Sequence, residues 1–316
     1  AAPVALDADD RALLLQVLSY YQQSLKDSPE ALAYLQARGL NHPELLEHFK
    51  LGFANRTLGL RLPHKNRVEG AQIRSRLERL GVYRESGHEH FNGSLVVPVL
   101  DAHGQVKELY GRKITPKLRL GTPLHLYLPA NESRGRGVFN IAALMLKTPA
   151  TSDAGSGAAA KEIILCESII DALTFWCAGY RNVTCSYGVE GFTDELMSAF
   201  KTHHVTRVLI AYDRDEAGDR AAEKLAARLM SEGMECFRIQ FPKGMDANEY
   251  ALKVQPAAKS LGLLIRQAQW LGKGQAAQPE KPWPLNETQP DLALMQDAHL
   301  EGALAGSPSI YEQELQ

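Results

Sequence analysis

The chain has 316 residues, enough for two compact units and connecting segments. With 45% hydrophobic and 23% charged residues it has the balance of an ordinary soluble globular protein, and no apolar run approaches the length of a membrane span. A net charge of -2 supplies no global attraction to nucleic acid, so any such contact has to come from a local basic face. No charged-then-apolar leader opens the chain. It begins with Ala1 rather than Met, and an excised fragment is expected. Cys166, Cys177, Cys185 and Cys236 form no C-x-x-C pair, so no zinc is expected in this chain. Their apolar surroundings read as buried, reduced thiols and a cytoplasmic location. His88 and His90 flank Glu89, but a two-residue spacing on a loop reads as solvated rather than metal-bound.

Apolar residues at helical spacing (Leu14, Val17, Leu18, Tyr21, Leu25) predict a first helix from about Asp9 to Lys26. A second runs from Pro29 to Arg38 and stops at Gly39; a third lies around Pro43 to Phe49. Strand-like runs follow over Ser94–Leu100 and Val106–Ile114, with a turn at Asp101–Gly104 between them. Residues 1–146 therefore read as an α+β subdomain. From 147 to 161 there is almost no large side chain, the composition of a flexible loop or hinge. Strict alternation begins next. Strands at Glu162–Cys166, Asn182–Ser186, Arg207–Tyr212 and Glu235–Phe241 lead into helices at Ser168–Ala178, Thr193–Thr202, Glu216–Ser231 and after Asp246. This predicts an α/β domain over 162–271 with a mainly parallel sheet, helices on both faces, and strands buried on both sides. Residues 272–316 read as a Pro/Gln/Ala-rich linker with a possible short helix at Asp291–Ala303, leading toward another domain. There is no internal repeat and no G-x-x-x-x-G-K-[ST] phosphate loop.

Ligands of open α/β sheets bind beyond the carboxyl ends of the strands. Glu167 ends the first strand here, with Asp171 one helical turn on. Asp213 and Asp215 end the third, and the fourth leads to Asp246 and Asn248. Residues two apart in extended chain share a side, so Asp213 and Asp215 can face one site. Acidic groups gathered at one edge repel each other unless cations neutralise them, and hard oxygen donors suit Mg²⁺ or Mn²⁺, with two or more ions expected. The plainer reading of Asp213 and Asp215, or of Asp246 and Asn248, is a turn or helix cap.

Leu165, Glu167, Asp171 and Leu173 resemble the TOPRIM motif that sets a Glu at a strand end. Tyr212 to Gly218 is similar to the D-x-D-x-A-G signature of bacterial and phage primases. Lys243, Asp246, Asn248 and Glu249 resemble the K-D-x-N-E segment of phage and plasmid primases, where better-known cellular primases carry a second Asp at the position of Asn248. Gly188 sits where that family has a Gly after the second strand. Upstream, Tyr20–Leu25, Tyr34–Leu40 and Leu51–Ala54 resemble the start of the primase RNA polymerase core, and Leu95–Val99 with Tyr110–Lys113 resemble its basic subdomain. The resemblance to DnaG-type primases thus runs from about Asp9 to Lys253.

What it implies is a metal-dependent core that makes short RNA primers from ribonucleoside triphosphates on single-stranded DNA. Glu167, Asp213 and Asp215 are then catalytic. Glu167, Asp171, Asp213, Asp215, Asp246 and Asn248 hold metal. Arg38, Arg112, Lys113, Lys117 and His125 contact nucleotide or template. His125 stands where many primases carry Lys, and a solvated hairpin remains the plain reading of the individual basic residues. A replicative helicase is a further expected partner, through regions outside this chain; no membrane partner is expected. Two alternatives stay open: a TOPRIM nuclease, and a non-catalytic DNA-binding accessory of a mobile element.

Overall fold

The computed structural model describes residues 3–5, 7–115, 117–131, 134–146 and 161–273. The expected hinge and the tail with its short helix lie almost wholly outside them. The first half carries α1 (Asp10–Lys26), α2 (Pro29–Ala37), α3 (Leu45–His48), β1 (Gly52–Ala54), α4 (Leu58–Arg61), α5 (Val68–Arg79), β2 (Ser94–Leu100), β3 (Val106–Lys113), β4 (His125–Tyr127) and α6 (Ile141–Met145). The second carries β5 (Glu162–Cys166), α7 (Ile169–Cys177), β6 (Val183–Cys185), α8 (Asp194–Thr202), β7 (Arg207–Ala211), α9 (Glu216–Ser231), β8 (Glu235–Arg238), α10 (Ala247–Lys253), α11 (Ala257–Arg266) and β9 (Gln269–Trp270).

Local chemistry sets the ends. Asp9 caps α1 by accepting from the Ala12 amide at 2.7 Å, and Leu13, Leu14, Val17, Leu18, Tyr21 and Leu25 form its buried stripe. Pro29 opens α2, and Gly39 ends it at φ +67°, where a side chain is strained; the Leu40 amide returns to the Leu35 carbonyl at 2.9 Å. Between β2 and β3, Asp101 accepts from the His103 and Gln105 amides at 2.9 Å.

β1 to β4 pair in that order as an antiparallel sheet. Strand alternation divides its faces. Val96, Leu109 and Leu126 join a core with α1 and α5, while Leu95, Val97, Val99 and Tyr110 join a larger core that continues through the second half. Phe49 joins the halves, stacked on Phe139 and edge-on to Trp176, each at 5.1 Å between ring centroids. One core therefore crosses both expected units.

The second sheet has the order β6-β5-β7-β8-β9, parallel except for β9. The chain steps outward from β5 to β6, then returns past β5 to β7. α7 packs on β5 and β6, α9 packs on β8, and α10 packs against α7. The order reverses between β5 and β7, the position where open α/β sheets leave a crevice. Among the described residues no helix is long and apolar enough to cross a membrane.

Candidate active site

Glu167 follows β5 and Asp213 follows β7, so the switch point is flanked by two carboxylates. The Asp213 amide lies 3.4 Å from Glu167 Oε2. Burial pushes the Asp213 carboxyl up to about 7, and the charges of Glu167, Asp246 and Asp215 add to the shift; Arg238 opposes it. Burial also raises Glu167, with Asp215 and Asp246 contributing, against the Asp213 amide and Arg238. The four carboxylates thus stand within electrostatic reach of one another.

The loop that carries Asp213 and Asp215 is tightly built. Asp215 is exposed and caps α9, its Oδ1 accepting from the Gly218 amide at 2.7 Å. Gly218 is required by closeness, since a Cβ there would lie 2.3 Å from the Asp213 carbonyl oxygen. Gly218→Ala should move that carbonyl, cost about 1–3 kcal/mol of stability, and lower any activity of the site. An unchanged melting temperature in that variant contradicts the assignment of this contact. Asp246 is held beside this loop through two backbone bonds, Arg214 N–H to the Met245 carbonyl at 3.1 Å and Gly244 N–H to the Arg214 carbonyl at 2.8 Å. Asp246 caps α10 by accepting from the Glu249 amide at 2.6 Å. Capping and gathering at one edge hold together: the caps fix where Asp215 and Asp246 stand.

Two expected metal ligands are used differently. Asp171, 3% exposed, accepts from the Ser168 hydroxyl at 2.6 Å and the Asn248 amide at 3.1 Å. Burial, then Asp246 and Asp213, raise its pKa. Asn248, 1% exposed, accepts on Oδ1 from Arg38 and donates from Nδ2 to the Arg38 carbonyl and the Thr174 hydroxyl, so its side chain ties α10 to α2 and α7. Among the described residues no three of His, Cys, Asp and Glu converge closely enough to enclose an ion as the side chains stand. The residues that fit a cation by charge and place are Glu167, Asp213, Asp215 and Asp246, whose mutual repulsion a bound cation relieves.

Sequence reasoning misses the support beneath Asp213. Arg238, on β8 and 4% exposed, donates to the carbonyls of Ile210 at 3.3 Å, Tyr212 at 2.8 Å and Asp213 at 2.9 Å. It also pairs with Asp219 at 3.1 Å. One guanidinium fixes the end of β7 from the neighbouring strand.

The basic residues divide. Arg112 and His125 pair across β3 and β4, and Arg112 Nη1 lies 2.7 Å from His125 Nε2. Arginine has only donors, so Nε2 accepts, and Nδ1 carries the proton that goes to the Tyr110 hydroxyl at 2.9 Å. Burial, with the Arg112 charge, lowers His125 to about 4 and keeps it neutral. Lys113 faces the other side of β3 and donates to the Asn92 carbonyl; Lys117 is exposed beyond the strand. Arg38 ends α2 and meets Asn248. The structure therefore joins Arg38 to the acidic arm and Arg112 to His125, without bringing Lys113 to their side.

Residues 20–122 match the family described as the DNA primase catalytic core, N-terminal domain, and residues 164–251 match the Toprim-like family. Over both matched regions, in this order, the chain is similar to the bacterial DnaG-type primases. The DNA primase of Aquifex aeolicus is 27% identical over 241 residues, covering 74% of this chain and 45% of that one. The DNA primase of Campylobacter jejuni is 25% identical over 251 residues, covering 77% and 38%. The crystal structure of the Aquifex aeolicus primase zinc-binding and RNA polymerase domains superposes with a TM-score of 0.67 at 25% identity, covering 85% of this chain and 63% of that one. The chain thus spans less than half the length of these two curated primases. The acidic edge lies within the Toprim-like match; Arg112 lies near the end of the other match, and His125 just beyond it.

Proposed function

We propose that the chain is the catalytic core of a DNA primase, making short RNA primers on single-stranded DNA from ribonucleoside triphosphates. The observation that carries this reading is the placement of Glu167 and Asp213 on either side of the switch point, with Asp215 and Asp246 in electrostatic reach. Divalent cation, Mg²⁺ or Mn²⁺, supplies neutralisation of that cluster and of the phosphates when bound there, as in two-metal phosphoryl transfer. The chain's own residues do the rest. Asp213 and Glu167 offer carboxylate oxygens at a half-buried edge, Asp215 and Asp246 stand fixed by their helix caps, and Arg238 holds the strand end that carries Asp213. On this reading the protein works in the cytoplasm, and a replicative helicase docks through regions outside this chain.

Incubating the protein with a mixed-sequence single-stranded template, labelled ribonucleotides and Mg²⁺ tests the proposal, with a parallel reaction on end-labelled template. Labelled oligonucleotides with an intact template support it. A shortened template without incorporation points to a nuclease, and neither product to an accessory that binds without chemistry.

Template binding is expected to draw on Arg112, whose guanidinium His125 holds in place. Removing one protein–phosphate interaction should flatten the log–log salt dependence of single-stranded DNA affinity by about 0.7. Arg112→Ala should show that change; affinity and slope equal to the parent's would put the template elsewhere.

A further inference from the structure

Asn248 lies in α10, two residues beyond Asp246, and bonds with two other helices. Its Nδ2 donates to the Arg38 carbonyl at 2.8 Å and to the Thr174 hydroxyl at 2.8 Å. Its Oδ1 accepts from Arg38 Nη1 at 3.1 Å. The Thr174 hydroxyl gives its own proton to the Ile170 carbonyl at 2.9 Å, so toward Asn248 it acts as acceptor. The Arg38 carbonyl stands at the end of α2, where the helix supplies no partner for it. One amide thus satisfies the main chain and the side chain of the same arginine, 210 positions away in sequence.

This arrangement needs an amide. A carboxylate at position 248 keeps an acceptor for the guanidinium but has no N–H, and it would face two buried acceptors, the Arg38 carbonyl and the Thr174 oxygen. Leaving buried polar groups without donors is costly. The surroundings of Arg38 also contain unused polar atoms. The guanidinium lies 5.6 Å from the centroid of the Tyr34 ring, and the Tyr34 hydroxyl is buried without a hydrogen-bond partner. On β3, Arg112 Nε is likewise buried and unpartnered. Polar atoms left over beside a fixed guanidinium are what an anionic substrate would complete.

We infer that Asn248 is a positioning residue, whose amide fixes Arg38 of the first half against the acidic arm that carries Asp246. The inference rests on the primase reading for its substrate and on the hydrogen bonds alone for its geometry. Asp246 is then the one side chain by which this arm reaches a cation, and Asn248 acts on substrate through Arg38.

A double-mutant cycle tests this with the full chain: parent, Arg38→Ala, Asn248→Ala and the pair, each measured for nucleotide KM, single-stranded DNA Kd and the Mg²⁺ midpoint of activity. Arg38→Ala should raise KM or Kd about tenfold. Asn248→Ala should raise the same constant, and the double variant should be no worse than Arg38→Ala, because the two act as a unit. The Mg²⁺ midpoint should stay within about twofold of the parent's in all three. Asn248→Asp is isosteric, and its melting curve shows whether it folds if Asn248→Ala does not. It should lose substrate affinity and gain none for Mg²⁺. Additive effects, an Arg38→Ala variant with unchanged KM and Kd, or an Asn248→Asp variant with a lower Mg²⁺ midpoint each overturn the inference. A parent that binds DNA without making primers sinks the primase reading, and the cycle is then read in Kd alone. A parent that neither binds nor synthesises sinks both.

Discussion

Asp213→Asn should reduce nucleotide incorporation at least about a hundredfold while leaving the protein folded, and more stable at alkaline pH than the parent. The carboxyl of Asp213 sits at about 7 in the fold against 3.8 without the fold's influence, raised first by burial and then by Glu167, Asp246 and Asp215. Between these values the folded chain holds a proton that the unfolded chain has lost. Stability from this group is therefore fully present below about pH 4 and is lost as pH rises through about 7. The amide removes that titration. In buffer without divalent metal, the parent's melting temperature should fall between pH 5 and 8, and the variant's fall should be shallower. Mg²⁺ or Mn²⁺ at pH 8 should raise the parent's melting temperature, because a ligand of the folded state stabilises it, and should raise the variant's much less. Equal metal responses would remove Asp213 from the cation site, and full incorporation by the variant would remove it from the chemistry.

Arg238→Ala should have the largest effect on stability. The side chain is 5% exposed, and its loss takes the donor from the carbonyls of Tyr212 and Asp213 just beyond β7, whereas Asp219 keeps Arg214 and the Ile210 carbonyl keeps the Ile239 amide. Leaving a buried acceptor without its donor costs about 1–3 kcal/mol each, so the two together should lower the melting temperature by roughly 10 °C for a domain of this size. Incorporation should fall even well below the new melting point, because the Asp213 carbonyl loses its donor. Differential scanning calorimetry with activity at low temperature separates the effects. A stable but inactive variant would make Arg238 a substrate contact, and a variant stable and active would leave it without the role described.

Much of this site was legible in the sequence, because its information is local. Strand and helix alternate at short range from Glu162 onward, so the strand ends that carry Glu167 and Asp213 could be read in order. The switch point itself comes from the spatial order β6-β5-β7, which chain order does not give. What escaped was nonlocal or carried too few apolar residues. Arg238 in a strand reads as one more charged residue, since its value lies in carbonyls that β7 brings alongside. The bonds between Asn248 and Arg38 exist only once α2 is docked on α10, a contact no spacing predicts. The α5 helix buries only Ile73 and Leu77 among its larger side chains, too narrow a stripe to mark a helix by periodicity. β9 has two residues and pairs antiparallel at the edge of a parallel sheet, which alternation cannot announce.

Template-directed synthesis is the claim on which the rest depends, and one measurement reaches it directly. A single-stranded template of defined sequence is incubated with the parent chain, Mg²⁺ or Mn²⁺ and labelled ribonucleotides, omitting each nucleotide in turn. The account predicts alkali-labile products whose length stops where the omitted nucleotide's complement stands in the template, and no product with Asp213→Asn. Products that ignore the omission, or equal incorporation by the Asp213→Asn protein, would contradict it.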